Sequence, residues 1–463
     1  MKRKTVRTLL LFLALFLIAL AALVAYTLKD DPLNPMAEKA LHYQPSSVPP
    51  EKNAFVGIAG LDAPAGSDFI AAGEKNIRAN LSPQKGSAAQ KRYSCEQEIT
   101  ENCLVEIRAE AQNIQRLLAE NGELIQRYLH IQAMPEFSHS FAKMLKPGTV
   151  QFSLNYGKFL NLSRLLSAKA VLDIQNGRIE EGLGFIEKDM NFYRGILASQ
   201  DINLLDMMIA IRQIQRYANL LILLFNEERF SRQTDRMRAL LKPLDTPEKT
   251  FANALWIEQA FMTQLLFRGL ITDLEKPPEM MVDFKTGRIR ENTYLDRLKF
   301  MLFVKPNMSL NLYNEFSRVE IDTINALTTE VLPAQPGALW ENEVRPRVCI
   351  VPKDYFFCRH WKNYLGEFLV YISFSDNVRY LFRIHDVDAR LRLFRARLEF
   401  ARAAKNAPKA ETPEAILARL GPETFNPYTG QPFEWNPETG MIGFMPAGDE
   451  NPKRVEVRLH FSP

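Results

Sequence analysis

The sequence predicts a mainly α protein with an N-terminal transmembrane helix, an extracytoplasmic body of helical hairpins in a solenoid-like arrangement, and a small C-terminal antiparallel β-meander. Three patterns predict it. Residues 9–28, LLLFLALFLIALAALVAYTL, carry no charge. Apolar residues then recur at spacings of three and four from about residue 100 to 330 and again from Tyr380 to Ala401, the period of one face of an α-helix. Near the end, Val455, Val457, Leu459 and Phe461 alternate with Arg454, Glu456, Arg458 and His460, the period of a half-buried strand.

As a helix rising about 1.5 Å per residue, the apolar stretch is roughly 30 Å long, the thickness of a bilayer's hydrocarbon core. Lys2, Arg3, Lys4 and Arg7 precede it, and Lys29-Asp30-Asp31 follows. The excess of positive charge before the span makes residues 1–7 a cytoplasmic tail, residues 8–28 the anchor, and places the remainder outside. Ala19-Leu20-Ala21 would suit a signal-peptide cleavage site, but the run continues through it and exceeds the roughly 7–15 apolar residues of such peptides. Residues 29–52 hold Pro32, Pro35, Pro45, Pro49 and Pro50. Prolines at that spacing resist helix and sheet, so an extended tether is expected.

Residues 53–410 read as a mainly helical extracytoplasmic domain and residues 411–463 as a small C-terminal α+β element. The small, apolar stretch 53–73 suggests a short strand and turn. Leu104, Ile107, Ala111, Ile114 and Leu118 mark one helix. The stripes Leu162 to Leu172 and Ile179 to Met190 flank Asn176-Gly177, a stop suited to a helical hairpin. Further helices are expected at about 203–226, at 247–270 behind Thr246-Pro247, and at 309–331. A Pro-rich loop, Pro333 to Pro352, leads to a helix over Trp361–Ser373. Tyr380, Ile384, Val387, Leu391, Phe394, Leu398 and Ala401 then step by four and three, a seam for packing on a core or partner helix. Thr412-Pro413 opens a short helix that Gly421-Pro422 ends, before a turn, strand, turn and strand over residues 426–444.

Of 463 residues, 58 are Lys or Arg and 54 are Asp or Glu, a net charge of +4. The four basic residues of the tail supply all of it. The exported part is neutral, which argues against a nucleic-acid partner, because such proteins neutralise phosphates with clustered surplus Lys and Arg.

All four cysteines come as two local pairs, Cys95 with Cys103 and Cys349 with Cys358. In an oxidising compartment these read as two short-loop disulfides. Metal binding and free thiols are the alternatives, but neither pair has the short gap of a zinc knuckle. No Gly-x-Gly-x-x-Gly or Gly-Lys-Ser/Thr loop is present, so no cofactor and no metal is expected.

Three fragments match signatures of penicillin-binding proteins and serine β-lactamases: Ser140 with Lys143, Ser375-Asp376-Asn377, and Lys285-Thr286-Gly287. Their order contradicts that assignment, since the last two are exchanged. Lys285-Thr286-Gly287 reads instead as a hairpin turn. His385 and Asp388 share a helical face, but Arg383 and Arg390 are equally close, and an Arg–carboxylate lattice is the plainer reading. The same helix carries Arg379, Arg383, Arg390, Arg392, Arg395, Arg397, Arg402 and Lys405 against Asp386, Asp388 and Glu399. Arg379, Arg383, Arg390, Arg395, Arg397 and Arg402 thus form a candidate interaction face toward anionic headgroups or an acidic partner.

Two passages, NAFVGIAGLDAPAGSDFIAAG after the tether and NPYTGQPFEW near the end, together with the anchor and helical middle, resemble a family of exported, membrane-anchored proteins of Gram-negative bacteria. The resemblance implies location and architecture, a single-pass inner-membrane protein with its C-terminal domain in the periplasm, and brings no activity or site residue. With catalytic motifs missing, the expected function is a periplasmic scaffold or adaptor with a protein partner in the envelope. The alternatives are an anchored envelope hydrolase with an unrecognised site, or a lipid or cell-wall binding module using the Arg379–Lys405 helix.

Overall fold

In a computed structural model of the chain, the Asn34 side chain accepts a hydrogen bond from the Ala37 amide at 2.7 Å, and Pro35 occupies the first helical position. Proline is tolerated there because that amide has no intrahelical partner in any helix. A helix, α1 (Pro35–Leu41), therefore starts inside the stretch expected to be extended. The structure describes residues 13–23, 25–26, 29–79, 101–139, 154, 156–225, 233–275, 280–282, 289–291, 293–294, 305–326, 377–405, 411–448 and 453–459.

A second departure lies in residues 53–79, where helices α2 (Ala54–Gly60) and α3 (Phe69–Ala79) replace the expected strand and turn. Small side chains fit that stretch for a different reason. A Cβ on Gly60 would lie 1.7 Å from the Phe69 carbonyl oxygen, and one on Gly73 would lie 2.1 Å from that of Val56. The two backbones touch, and only glycine permits it.

Next come α4 (Glu101–Ala109), α5 (Ala111–Glu120) and α6 (Gly122–Gln132). The expected hairpin is formed by α7 (Tyr156–Gln175) and α8 (Ile179–Ala198), with Gly177 at the turn in the left-handed region, φ +86°. A Cβ on Gly182 would sit 2.5 Å from the Ala170 carbonyl oxygen, so α7 and α8 also meet closely. After α9 (Leu204–Phe225) and α10 (Thr234–Leu240) comes α11 (Pro247–Glu275). Strands β1 (Met280–Val282) and β2 (Ile289–Glu291) pair antiparallel with Val282 opposite Ile289, on either side of Lys285-Thr286-Gly287, which lies outside the described residues. Helices α12 (Pro306–Ala326), α13 (Val378–Lys405) and α14 (Pro413–Ala418) follow, the last capped by the Thr412 hydroxyl. Strands β3 (Glu434–Asn436), β4 (Met441–Phe444) and β5 (Val455–Arg458) close the chain in the order β3-β4-β5, antiparallel throughout. The alternation expected of β5 holds, with Val455 and Val457 buried and Glu456 and Arg458 exposed.

The chain divides into two compact units. The first comprises Met1–Tyr43, Gln259–Glu320 and Glu343–Asp376, and the second Gln44–Glu258, Ile321–Asn342 and Asn377–Pro463. In the first, α1 buries Ala37 and Ala40, and Gln264 of α11 donates to the carbonyls of Ala40 and Tyr43 at 3.2 and 2.9 Å. In the second, α9 packs on both α8 and α13. Residues 13–23 and 25–26 are helical. Among the described residues no helix is long and apolar enough to cross a membrane; residues 1–12, 24, 27 and 28 of the expected anchor lie outside them.

Candidate binding cleft

Helix α8 carries Leu183, Ile186 and Met190 of the expected stripe into the core, with Ile179 half-buried at its start, and Asp189, three residues after Ile186, falls on the same face. Its carboxylate is fully buried. A buried charge requires hydrogen bonds to replace its lost hydration, and three other helices supply them. From α6, Tyr128 and Gln132 donate to Oδ1, the latter at 2.9 Å. From α7, Ser163 donates to Oδ2 at 2.8 Å, and from α9, Tyr217 donates to the same atom. Arg216 of α9 donates from Nη2 to the hydroxyls of Ser163 and Ser167 at 2.7 and 3.1 Å, and its guanidinium lies 4.7 Å over the Tyr217 ring. Burial, reinforced by the Asp189 charge, holds the Tyr128 and Tyr217 hydroxyls protonated well above the ordinary tyrosine range. One carboxylate thus joins four helices.

On the outer side of this cluster runs a cleft of about 810 Å³ between the C-terminal end of α6, the turn at residues 133–137 and one face of α8. Gln132 belongs to both, lining the cleft while donating to Asp189. Phe137, Phe185 and Phe192 give the cleft apolar surface, and Glu136, Glu180, Glu181, Lys188 and Asn191 give it polar edges. Its floor along α8 includes Gly184 and Gly195, and nothing lies within 4 Å of where a Gly195 side chain would begin.

A second polar node pairs the His139 ring, through Nδ1, with Asp206 Oδ2 at 2.7 Å, while Tyr156 donates to Asp206 Oδ1. The Phe55 ring packs 4.4 Å from the imidazole. A His–Asp pair of this kind orients a general base. The neighbouring Ser138 hydroxyl, however, donates to Asp201 at 3.1 Å.

The candidate face on α13 does not stand as one solvent-facing surface. The seam residues Ile384, Val387, Leu391, Phe394 and Leu398 are buried as expected, but so are Arg390 and Arg397. Arg390 donates to Asn219 of α9 at 3.2 Å, Arg383 stacks 5.2 Å over Tyr380 and donates to the Gly448 carbonyl, and Arg395 pairs with Glu423 at 3.4 Å. Arg379 and Arg402 are exposed, Arg402 lying 3.7 Å from Asp235. The arginines are distributed around a helix that is enclosed on most sides. Cys103 is buried and disulfide-bonded. Cys95, Cys349 and Cys358 lie outside the described residues, as do Ser140, Lys143, Ser375, Asp376 and His360.

His385 and Asp388 do not act together. Asp388 accepts from the Leu244 amide and from Arg392 Nε, both at 2.6 Å, so its arginine partner is Arg392 rather than the Arg383 or Arg390 that the sequence suggested. The His385 ring is buried with no hydrogen bond to either nitrogen among the described residues, although Glu248 Oε1 lies 3.3 Å from Nε2. Burial, with Arg392 nearby, lowers its pKa from the usual 6.5 to about 3. Above pH 6.5 the ring is neutral folded or unfolded. Below it only the unfolded chain takes up the proton, so stability falls by up to about 1.4 kcal/mol per pH unit toward pH 3. Burial raises Glu248 and Asp388, which opposes the trend near their own pKa values. A difference measurement isolates the histidine: between pH 7 and pH 5, urea midpoints should fall more for the native chain than for His385→Leu. Parallel curves would remove His385 as the source.

Compared with protein-family models, curated proteins and solved structures, the chain matches none.

Proposed function

We propose that this chain is an inner-membrane-anchored periplasmic adaptor without catalytic activity, and that the cleft between α6 and α8 takes an extended segment of a partner protein. The carrying observation is the cleft itself: an open groove with phenylalanines along it, backed by a carboxylate that donors from three other helices hold in place. Groups that are already paired serve to fix the shape of a surface. Acidic edges at Glu136 and Glu181 against Lys188 suit a segment in which basic residues flank an apolar side chain, while Glu180 is already paired with Arg236.

The anchor reading is supported by the apolar side chains that residues 13–23 expose on every side of their helix, among them Leu13, Phe16, Leu17, Ile18 and Leu20. A helix apolar all round belongs in a core or a bilayer. Disulfide bonding of Cys103 supports an oxidising compartment, with Cys95 and Cys358 as the proposed partners of Cys103 and Cys349.

Gly195 supplies the test. A glycine within a helix costs roughly 0.5–1 kcal/mol relative to alanine, and Gly195 has room for a side chain. Gly195→Ala should therefore stabilise the fold by about that amount, while Gly195→Trp fills the groove. A photo-crosslinking residue at Asn191 should give a discrete adduct in cells. That adduct should vanish in Gly195→Trp, and none should form from the exposed Glu414. Recovery of the protein only as a monomer would sink the adaptor reading.

The His139–Asp206 pair favours a second reading, an envelope hydrolase. It requires that His139→Ala abolish the protein's cellular phenotype while Gly195→Trp leaves it intact.

A further inference from the structure

Asp30 stands two residues past the end of the apolar stretch, yet its carboxylate caps a helix far along the chain. Oδ2 accepts from the Asn307 amide at 2.8 Å and Oδ1 from the Met308 amide at 3.1 Å, filling the free donors of the first turn of α12. The next residues continue along the same helix. Asn307 Nδ2 donates to the Asp31 carbonyl at 2.9 Å and Asn311 Nδ2 to the Pro32 carbonyl at 2.8 Å. The Asn34 amide donates to Asn311 Oδ1 at 2.7 Å, and Asn34 Nδ2 to the Asn311 carbonyl at 3.4 Å. Residues 30–34 are thus laid against the first two turns of α12.

Distance decides what this does. An extended run over residues 29–52 would reach about 80 Å at 3.3–3.6 Å per residue and let the folded part range far from a membrane. With Asp30 fixed to α12, the first turn of that helix stays within about 10 Å of the point where the chain leaves the apolar stretch. The headgroup layer on each side of a bilayer is roughly 5–8 Å deep. Lys29 is exposed at that level, where a cation meets lipid phosphates.

We infer that the first unit sits directly on the phospholipid headgroups, held there by the contact of residues 30–34 with α12. This rests on the reading of residues 8–28 as a membrane span. The partner is the anionic headgroup layer of the same bilayer that takes the anchor.

The test uses the full chain in vesicles of phosphatidylethanolamine and phosphatidylglycerol at 3:1, with a fluorescent residue at the exposed Glu315 of α12 and an acceptor on a minority of the headgroups. Energy transfer should be high. Inserting about 30 Gly/Ser residues after Leu28 leaves the clamp intact but adds a flexible arm of roughly 30 Å, and should cut transfer at least about twofold. Asp30→Ala combined with Asn311→Ala should act in the same direction. Low transfer in the native chain, or transfer unchanged by the insertion, overturns the inference while leaving the anchor standing. Release of the native chain by alkaline carbonate overturns the span, and the inference with it.

Discussion

Replacing Asp189 with alanine should cost the second unit about 3–5 kcal/mol, the range expected when one partner is removed from a buried charged network. The loss has two parts. Tyr128, Gln132, Ser163 and Tyr217 each lose the acceptor they share, and a buried donor without an acceptor costs roughly 1–3 kcal/mol. Arg216 keeps its charge in a buried site from which the carboxylate has gone. Asp189→Asn should be nearly as harmful, because its amide nitrogen would present donors to donors. Tyr193→Phe is the contrast: that hydroxyl is buried in the same cluster but makes no hydrogen bond to Asp189, so its removal should cost far less. Urea unfolding of the three variants, followed by a tryptophan-independent probe such as far-UV circular dichroism, gives the comparison. A cost below about 1 kcal/mol for Asp189→Ala would show that the four helices hold together without the carboxylate.

Gly60→Ala should rank next, at about 3 kcal/mol, the upper part of the range for overpacking a well-packed contact. The added methyl would overlap the Phe69 carbonyl oxygen, which belongs to backbone and cannot rotate away. Helices α2 and α3 would have to part. Their separation would also disturb the loop between them, whose carbonyls at Leu61, Ala63 and Pro64 accept from Arg127 at 3.2, 2.6 and 2.8 Å. A midpoint shift at unchanged m-value is the expected signature. Gly195→Ala, the same substitution on an open helix face, should shift the midpoint the other way. Equal effects of the two would contradict the close approach of α2 and α3.

Periodicity made the α7–α8 hairpin and β5 legible in the sequence, although only β5 buries a single face and α7 is buried on nearly every side. Asn176-Gly177 fixed the hairpin's turn, since the backbone there needs a positive φ. The residues of the polar cluster were harder to find. Asp189 lies in register with the apolar stripe of α8, and Ser163 and Ser167 lie four apart beside Leu162 and Leu166. A polar side chain in register with a buried face was the available signal, but one helix alone does not reveal which others converge on it. The arginines of α13 misled for a related reason. Charge on an amphipathic helix suggests a solvated face when no neighbour is in view, and here Asn219, Glu423 and the Gly448 carbonyl fill that space. In residues 53–73, small residues looked like turn material because composition does not distinguish flexible backbone from backbone in contact.

The enclosure of α13 also bears on how the molecule is made. Helix α9 covers its apolar surface with α13, and the Arg390–Asn219 hydrogen bond joins residues 171 positions apart. At synthesis rates of about 5–20 residues per second, the earlier helix waits roughly 10–30 s for the later one. Closing so long a segment is entropically slow. A nascent chain therefore has an interval with the face of α9 that meets α13 uncovered, in which chaperones compete with aggregation for its fate.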